Sequence, residues 1–231
     1  MTAGRKGAGA TRFTGRGRRI RVRTAKQRSV SSTRWLDRQL NDPYVAEAAR
    51  QGFRSRAAFK LAELDGRFRL LRAGDKVVDL GAAPGGWTQV AAARIGPKGR
   101  VVAVDLLPMG GVAGAKIVAA DFLDAATPTK IHAALGGPAD VVLSDMSPSA
   151  TGHGPTDHIR IVALAEAAFD FARGVLKPGG AFVTKVFQGG AERELLAELK
   201  RAFASVRHAK PPASRAESAE TYVVAQGFRA G

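Results

Sequence analysis

Short apolar runs alternate with helix-like stretches along most of this chain. Five runs read as strands: 76–80 (KVVDL), 100–105 (RVVAVD), 116–119, 139–145 (ADVVLSD) and 181–187 (AFVTKVF). Their apolar residues follow one another instead of alternating with polar ones, which predicts strands covered on both faces. Two closing strands are predicted over 206–210 and 221–226. Between the strands, 88–95, 157–176 and 192–203 read as helices, the long one stopped by Lys177-Pro178-Gly179-Gly180. Upstream, Asp42-Pro43 reads as a cap and first-turn proline opening a helix to about Gln51. Ser55 reads as the cap of a second helix, with Ala57, Leu61, Leu64 and Phe68 on one side. The alternation predicts an α/β fold, a doubly wound sheet with helices on both faces and no internal repeat.

The 231 residues suffice for one α/β domain with an appendage. Charge divides them. Residues 1–40 hold twelve Lys and Arg against one acid, Asp37, whereas 41–231 hold 24 against 19. The split predicts a basic, disordered RNA-binding arm at 1–30 and a folded domain at 31–231, because each cation meeting a phosphate releases counterions. A solubilising tail is the plainer alternative. A mitochondrial transit peptide is also acid-poor and rich in Arg and Ser, but Phe13, Ile20, Val22 and Val30 make a poor amphipathic helix. Cysteine is absent, which excludes disulfides, a thiol nucleophile and cysteine-ligated zinc. No apolar run approaches transmembrane length, so a cytoplasmic protein with no membrane partner is expected. His132, His153, His158 and His208 show no metal-binding spacing and read as surface or turn residues, so no metal is expected.

The turn after the first strand reads Asp79-Leu80-Gly81-Ala82-Ala83-Pro84-Gly85-Gly86-Trp87. Its glycines let the backbone approach a ligand. A dinucleotide fingerprint needs G-x-G-x-x-G, but Ala83 stands where its second glycine belongs, and no Lys-Ser/Thr follows for a Walker loop. Asp105, ending the second strand, is placed to bind both hydroxyls of a ribose. Asp121-Phe122, past the third strand, suits an adenine amino group and ring. Gly81, Asp105 and Asp121 at successive strand ends form one crevice, pointing to an adenosine ligand without a pyrophosphate, such as S-adenosylmethionine.

Lys185 is the most anomalous residue, a cation between Phe182-Val183 and Val186-Phe187 in an apolar strand. Lysine is rarely buried without partners. Asp145 ends the fourth strand, and Glu220 precedes the last, so an antiparallel last strand brings Glu220 toward Lys185. Lys60 lies beside the Leu61–Leu64 stripe. Taken singly, Lys60 and Glu220 read more readily as surface charges, while for Lys185 a strand-end lysine reaching solvent is the lesser alternative.

Together these segments resemble the FtsJ/RrmJ-type ribosomal RNA 2′-O-methyltransferases. The resemblance runs from about Ser31 to Gly227 and rests on Ser55-Arg56-Ala57-Ala58-Phe59-Lys60-Leu61, the 79–87 loop, Asp105-Leu106-Leu107-Pro108, Ser144-Asp145-Met146, Val183-Thr184-Lys185-Val186-Phe187-Gln188-Gly189 and Ser214-Arg215. It implies a Rossmann-like methyltransferase sheet of seven strands, the last antiparallel. It implies a catalytic tetrad of Lys60, Asp145, Lys185 and Glu220, with cofactor contacts at Gly85, Trp87, Asp105, Asp121 and Asp145. It implies an enzyme that methylates a uridine ribose in the A-loop of ribosomal RNA in the large ribosomal subunit; a monomer is expected. After Asp145 the chain reads Met146-Ser147-Pro148-Ser149, where bacterial members usually have Met-Ala-Pro-Asn. The Gly- and Pro-rich stretch 147–157 reads as a loop able to close over RNA. Other readings are the same chemistry on transfer RNA or a messenger cap, a non-catalytic assembly factor, and a nicotinamide oxidoreductase.

Overall fold

The computed structural model describes residues 20–22, 24, 27–148, 153–188 and 192–230. Most of the arm expected at 1–30 lies outside the described residues, as do Ser149 and Gly189. Three helices, α1 (Val30–Leu40), α2 (Pro43–Gln51) and α3 (Ala57–Phe68), lead into β1 (Lys76–Leu80). Then follow α4 (Gly86–Ile95), β2 (Arg100–Asp105), β3 (Ala115–Ala119), α5 (Thr127–Leu135) and β4 (Ala139–Ser144). The chain closes with α6 (Gly154–Val175), β5 (Leu176–Phe187), α7 (Arg193–Ala202), β6 (Phe203–Ala209) and β7 (Glu220–Phe228).

The seven strands form one sheet in the order β3-β2-β1-β4-β5-β7-β6, with β7 antiparallel to both its neighbours. This is the Rossmann-like sheet that the apolar runs and the resemblance led us to expect. Helices α5, α6 and α7 cover one face, where Ile131, Leu135, Phe169, Leu195 and Leu199 meet Val78, Leu80, Val142 and Phe182. Helices α3 and α4 cover the other, where Leu61, Leu64, Trp87 and Val90 meet Val77, Val101, Leu143 and Val183. Each such side chain, fully buried, contributes about 1.5–3 kcal/mol.

Asp42 caps α2 as expected, its carboxylate accepting the Tyr44 N–H at 3.0 Å. Ser55 does not cap α3. Arg56 holds that position, and the Ser55 hydroxyl has no hydrogen-bond partner. Lys177-Pro178-Gly179-Gly180 does not separate helix from strand either. β5 begins at Leu176, and a register shift against β4 absorbs the irregular stretch. Helix α6 starts at Gly154, so it consumes the end of the stretch read as a loop to 157. Pairing of β5 with β7 sets Lys185 opposite Tyr222 and Phe187 opposite Glu220. That register carries the start of β7 to the carboxyl end of β5, where the parallel strands also end. No helix among the described residues is long and apolar enough to cross a membrane.

Candidate active site

A cavity of about 720 Å³ opens beyond the carboxyl ends of the central strands. Gly81, Asp105, Asp121 and Asp145 line it, as do Leu106, Phe122 and Met146. Gly81 adopts φ +74°, and a Cβ there would stand 2.8 Å from the Met146 backbone, so the turn admits no side chain. Asp105 braces this turn. Its Oδ2 accepts the Ala83 N–H at 2.9 Å and its Oδ1 the Leu107 N–H at 2.8 Å. A carboxylate has about four lone-pair sites, which leaves capacity for two hydroxyls. Asp121 accepts the Leu123 N–H at 2.9 Å, and Phe122 stands edge-on to Phe171. Gly85 and Trp87 do not line the cavity. Gly85 turns the chain into α4 at φ +111°. Trp87 is buried, donating its indole N–H to the Ala57 carbonyl at 2.8 Å and packing on Tyr222.

Beside the cavity the four residues singled out as a tetrad form two ion pairs. Lys185, on β5, is only 7% exposed and donates from Nζ to the Asp145 carboxylate at 2.9 Å and the Asp145 carbonyl at 2.8 Å. Lys60, on α3, meets both oxygens of Glu220, at 2.7 and 2.9 Å. Glu220 therefore pairs with Lys60 and not directly with Lys185. Tyr222 joins the two pairs. Its hydroxyl donates to Asp145 at 2.8 Å, its ring underlies Lys60 Nζ at 5.8 Å, and Glu220 acts on it electrostatically. Burial, together with those two carboxylates, holds the Tyr222 hydroxyl well above its usual pKa, so it stays a donor. Burial alone would raise the Asp145 carboxyl. The charges of Lys185 and Lys60, with hydrogen bonds from Lys185 and Tyr222, outweigh it and keep Asp145 ionised below the usual carboxylate range.

Tyr222 and Ser214 were not singled out from the sequence for this site. Ser214 donates to Glu220 at 2.8 Å and fixes its orientation. An aromatic in a strand reads as core, and nothing local marks its hydroxyl. The Ser214-Arg215 dipeptide was visible, but its partners lie far off in sequence. Arg56 and Arg215 both reach Asp42 Oδ2 at 3.1 Å, one carboxylate against two guanidiniums. With Ser214, these three residues line a second, open depression of about 420 Å³. Asn41, on its rim, exchanges two hydrogen bonds with the Ile20 backbone at 2.8 and 3.0 Å, which ties down the stem of the basic segment. His158 is a half-buried residue of α6 rather than a turn residue, edge-on to Phe187 and 3.8 Å from Glu192. Among the described residues, no group of three or more His, Asp or Glu could hold a metal ion.

The seven-stranded sheet with its reversed last strand and strand-end cavity defines a Rossmann-like methyltransferase, with S-adenosylmethionine as cofactor. The FtsJ-like methyltransferase model matches residues 53–228, and the chain belongs to that family. It is 59% identical to the ribosomal RNA large subunit methyltransferase E of Gluconobacter oxydans, over 95% of this chain and 81% of that protein. It is 58% identical to the protein so named from Paramagnetospirillum magneticum, over 99% and 98%. Among solved structures, a ribosomal RNA methyltransferase from Plasmodium falciparum superposes with a TM-score of 0.70 at 26% identity, covering 76% of this chain and 98% of that one. Human methyltransferase-like protein 13 shares the fold at a TM-score of 0.52 and 18% identity, over 71% of this chain and 80% of that one.

Proposed function

We propose that this protein methylates a ribose 2′-hydroxyl of large-subunit ribosomal RNA, a uridine of the A-loop, using Lys60, Asp145, Lys185 and Glu220. The observation that carries the chemistry is the buried Lys185 amine held on Asp145 at the edge of the cavity. The substrate class follows from the relatives' names. The cavity suits a cationic adenosine derivative, since three carboxylates and Arg160 are the ionisable groups in its wall. A pyrophosphate would face those carboxylates, which disfavours a nicotinamide dinucleotide. Asp105 would take the ribose hydroxyls, Asp121 and Phe122 the adenine, and Gly81 the closest backbone approach. Bound there, S-adenosylmethionine supplies an electrophilic methyl group.

The remaining work falls to the side chains. Lys185 has three Nζ positions, and two are committed to Asp145, which leaves one for the 2′-hydroxyl. As the new C–O bond forms and the methyl–sulfur bond breaks to leave S-adenosylhomocysteine, Lys185 accepts the hydroxyl proton, a step that requires the amine form. Asp145 fixes the direction of Nζ. The Lys60–Glu220 pair, steadied by Ser214, positions the ribose from the α3 side. Alignment of the reacting atoms supplies much of the acceleration. Arg56, Arg215 and the basic arm, anchored at Asn41, hold flanking phosphates.

The direct test is a map of 2′-O-methyl groups in ribosomal RNA from cells with and without the protein. Transfer by purified protein to large subunits from the deficient strain should restore one ribose methyl in the A-loop. An unchanged map, or a methyl on a base, would refute the reading.

A further inference from the structure

Asp79 lies on β1, two residues before the Gly81 turn, with no exposed surface. Its Oδ2 accepts the Thr88 hydroxyl of α4 at 2.7 Å, and its Oδ1 has no hydrogen-bond partner. Strand alternation puts Asp79 on the sheet face shared by Asp105, Asp145 and Lys185. The charged groups that act on it are Asp145, just past β4, and Asp105 from β2, both in the cavity wall. Burial, aided by those two carboxylates and only partly offset by Thr88, pushes the Asp79 carboxyl up to about 7. Near neutrality the free protein is therefore divided between two states, a neutral and a charged Asp79.

We propose that Asp79 senses the charge of the bound cofactor, losing its proton when the cationic methyl donor enters and regaining it once the neutral sulfur of the product remains. A positive charge set against Asp105 and Asp145 offsets the field that keeps Asp79 protonated, and Asp79 then ionises more readily. Linkage runs both ways, so ionised Asp79 binds the donor more tightly. The product, S-adenosylhomocysteine, has the same adenosine, ammonium and carboxylate but no sulfonium, so it gains less from the ionised state. Rising pH thus favours donor over spent cofactor at one site, which limits product inhibition. The inference rests on the 720 Å³ cavity being the cofactor site.

Calorimetric titration of the full-length protein with S-adenosylmethionine and with S-adenosylhomocysteine, in buffers of different ionisation heat, tests it. The donor should release about half a proton at about pH 7 and bind about tenfold tighter at about pH 8 than at about pH 6. The product should show a much weaker dependence. Asp79→Asn, which keeps the size and a Thr88 acceptor, should release no proton on this account. Thr88→Val, which withdraws the bond favouring the ionised form, should move the pH window upward. Equal proton release by donor and product, or unchanged release in Asp79→Asn, would overturn the proposal alone. No donor binding at any pH would overturn the cavity assignment and the proposal with it.

Discussion

The two faces of the central sheet are built on opposite principles. Toward α5, α6 and α7, the strands β1, β4 and β5 present Val78, Leu80, Val142, Phe182 and Val186, with Ser144 and Thr184 as the buried polar residues among those described. Toward α3 and α4, the same strands present Val77, Leu143 and Val183, and then Asp79, Asp145 and Lys185 near their carboxyl ends. The difference lies in what compensates burial. The first face needs only shape, whereas the second pairs Asp145 with Lys185 and with Tyr222 of β7, sets Lys60 of α3 against Glu220, and leaves Asp79 the Thr88 hydroxyl of α4. The charged side chains thus gather on one side of the sheet, within strands 5 to 12 residues long.

Substitutions should separate these roles. The largest loss of stability is expected for Phe182→Ala on the apolar face. Denaturant unfolding should show a loss of about 3–5 kcal/mol, while donor affinity of the folded fraction stays unchanged. On the polar face, Lys60→Met strands a partly buried Glu220 and should cost about 3 kcal/mol or more, with a clear loss of methyl transfer. Combining it with Glu220→Gln should recover part of that stability and none of the transfer. Full additivity of the two changes would deny that they act as a pair. Tyr222→Phe, which removes one hydrogen bond to Asp145, should cost about 1–1.5 kcal/mol and reduce turnover only moderately.

A separate effect, read as a trend across pH and not as a single loss, is a pH dependence of stability. Asp79 is raised to about 7 in the fold, so its contribution is present at acid pH and is lost as pH rises toward 7. Asp145 is lowered, so its contribution is present above the ordinary carboxylate range and is lost as pH falls. Melting curves of Asp79→Asn should therefore lie above those of the wild type at mildly alkaline pH, with the gap narrowing as pH falls toward about 5. A gap that widens on acidification would contradict the sign.

Much of this organisation was legible along the chain. The valine runs of β1 and β2 marked both strands at their observed ends, because a strand covered on both faces has little choice of residues. Asp42-Pro43 located α2 through its cap. A lone lysine in an apolar strand located Lys185. The failures have physical causes too. Helix α1 shows few apolar residues in a basic surround, although Ser29 caps it. Helix α5 is only nine residues long and is not among the predicted helices. Tyr222 meets Asp145 across 77 positions and Lys60 meets Glu220 across 160, through a register that no local pattern encodes. Trp87 lies in the cofactor loop by sequence, and its ring packs on Tyr222 while its indole N–H donates to the Ala57 carbonyl, contacts that no local pattern encodes.

The most direct measurement compares two readings of one variant, Lys185→Ala. Single-turnover transfer to large ribosomal subunits should fall by about 10³-fold or more, while calorimetric affinity for S-adenosylmethionine stays near that of the wild type. Near-normal transfer by this variant would contradict the assignment of the buried amine as the proton acceptor.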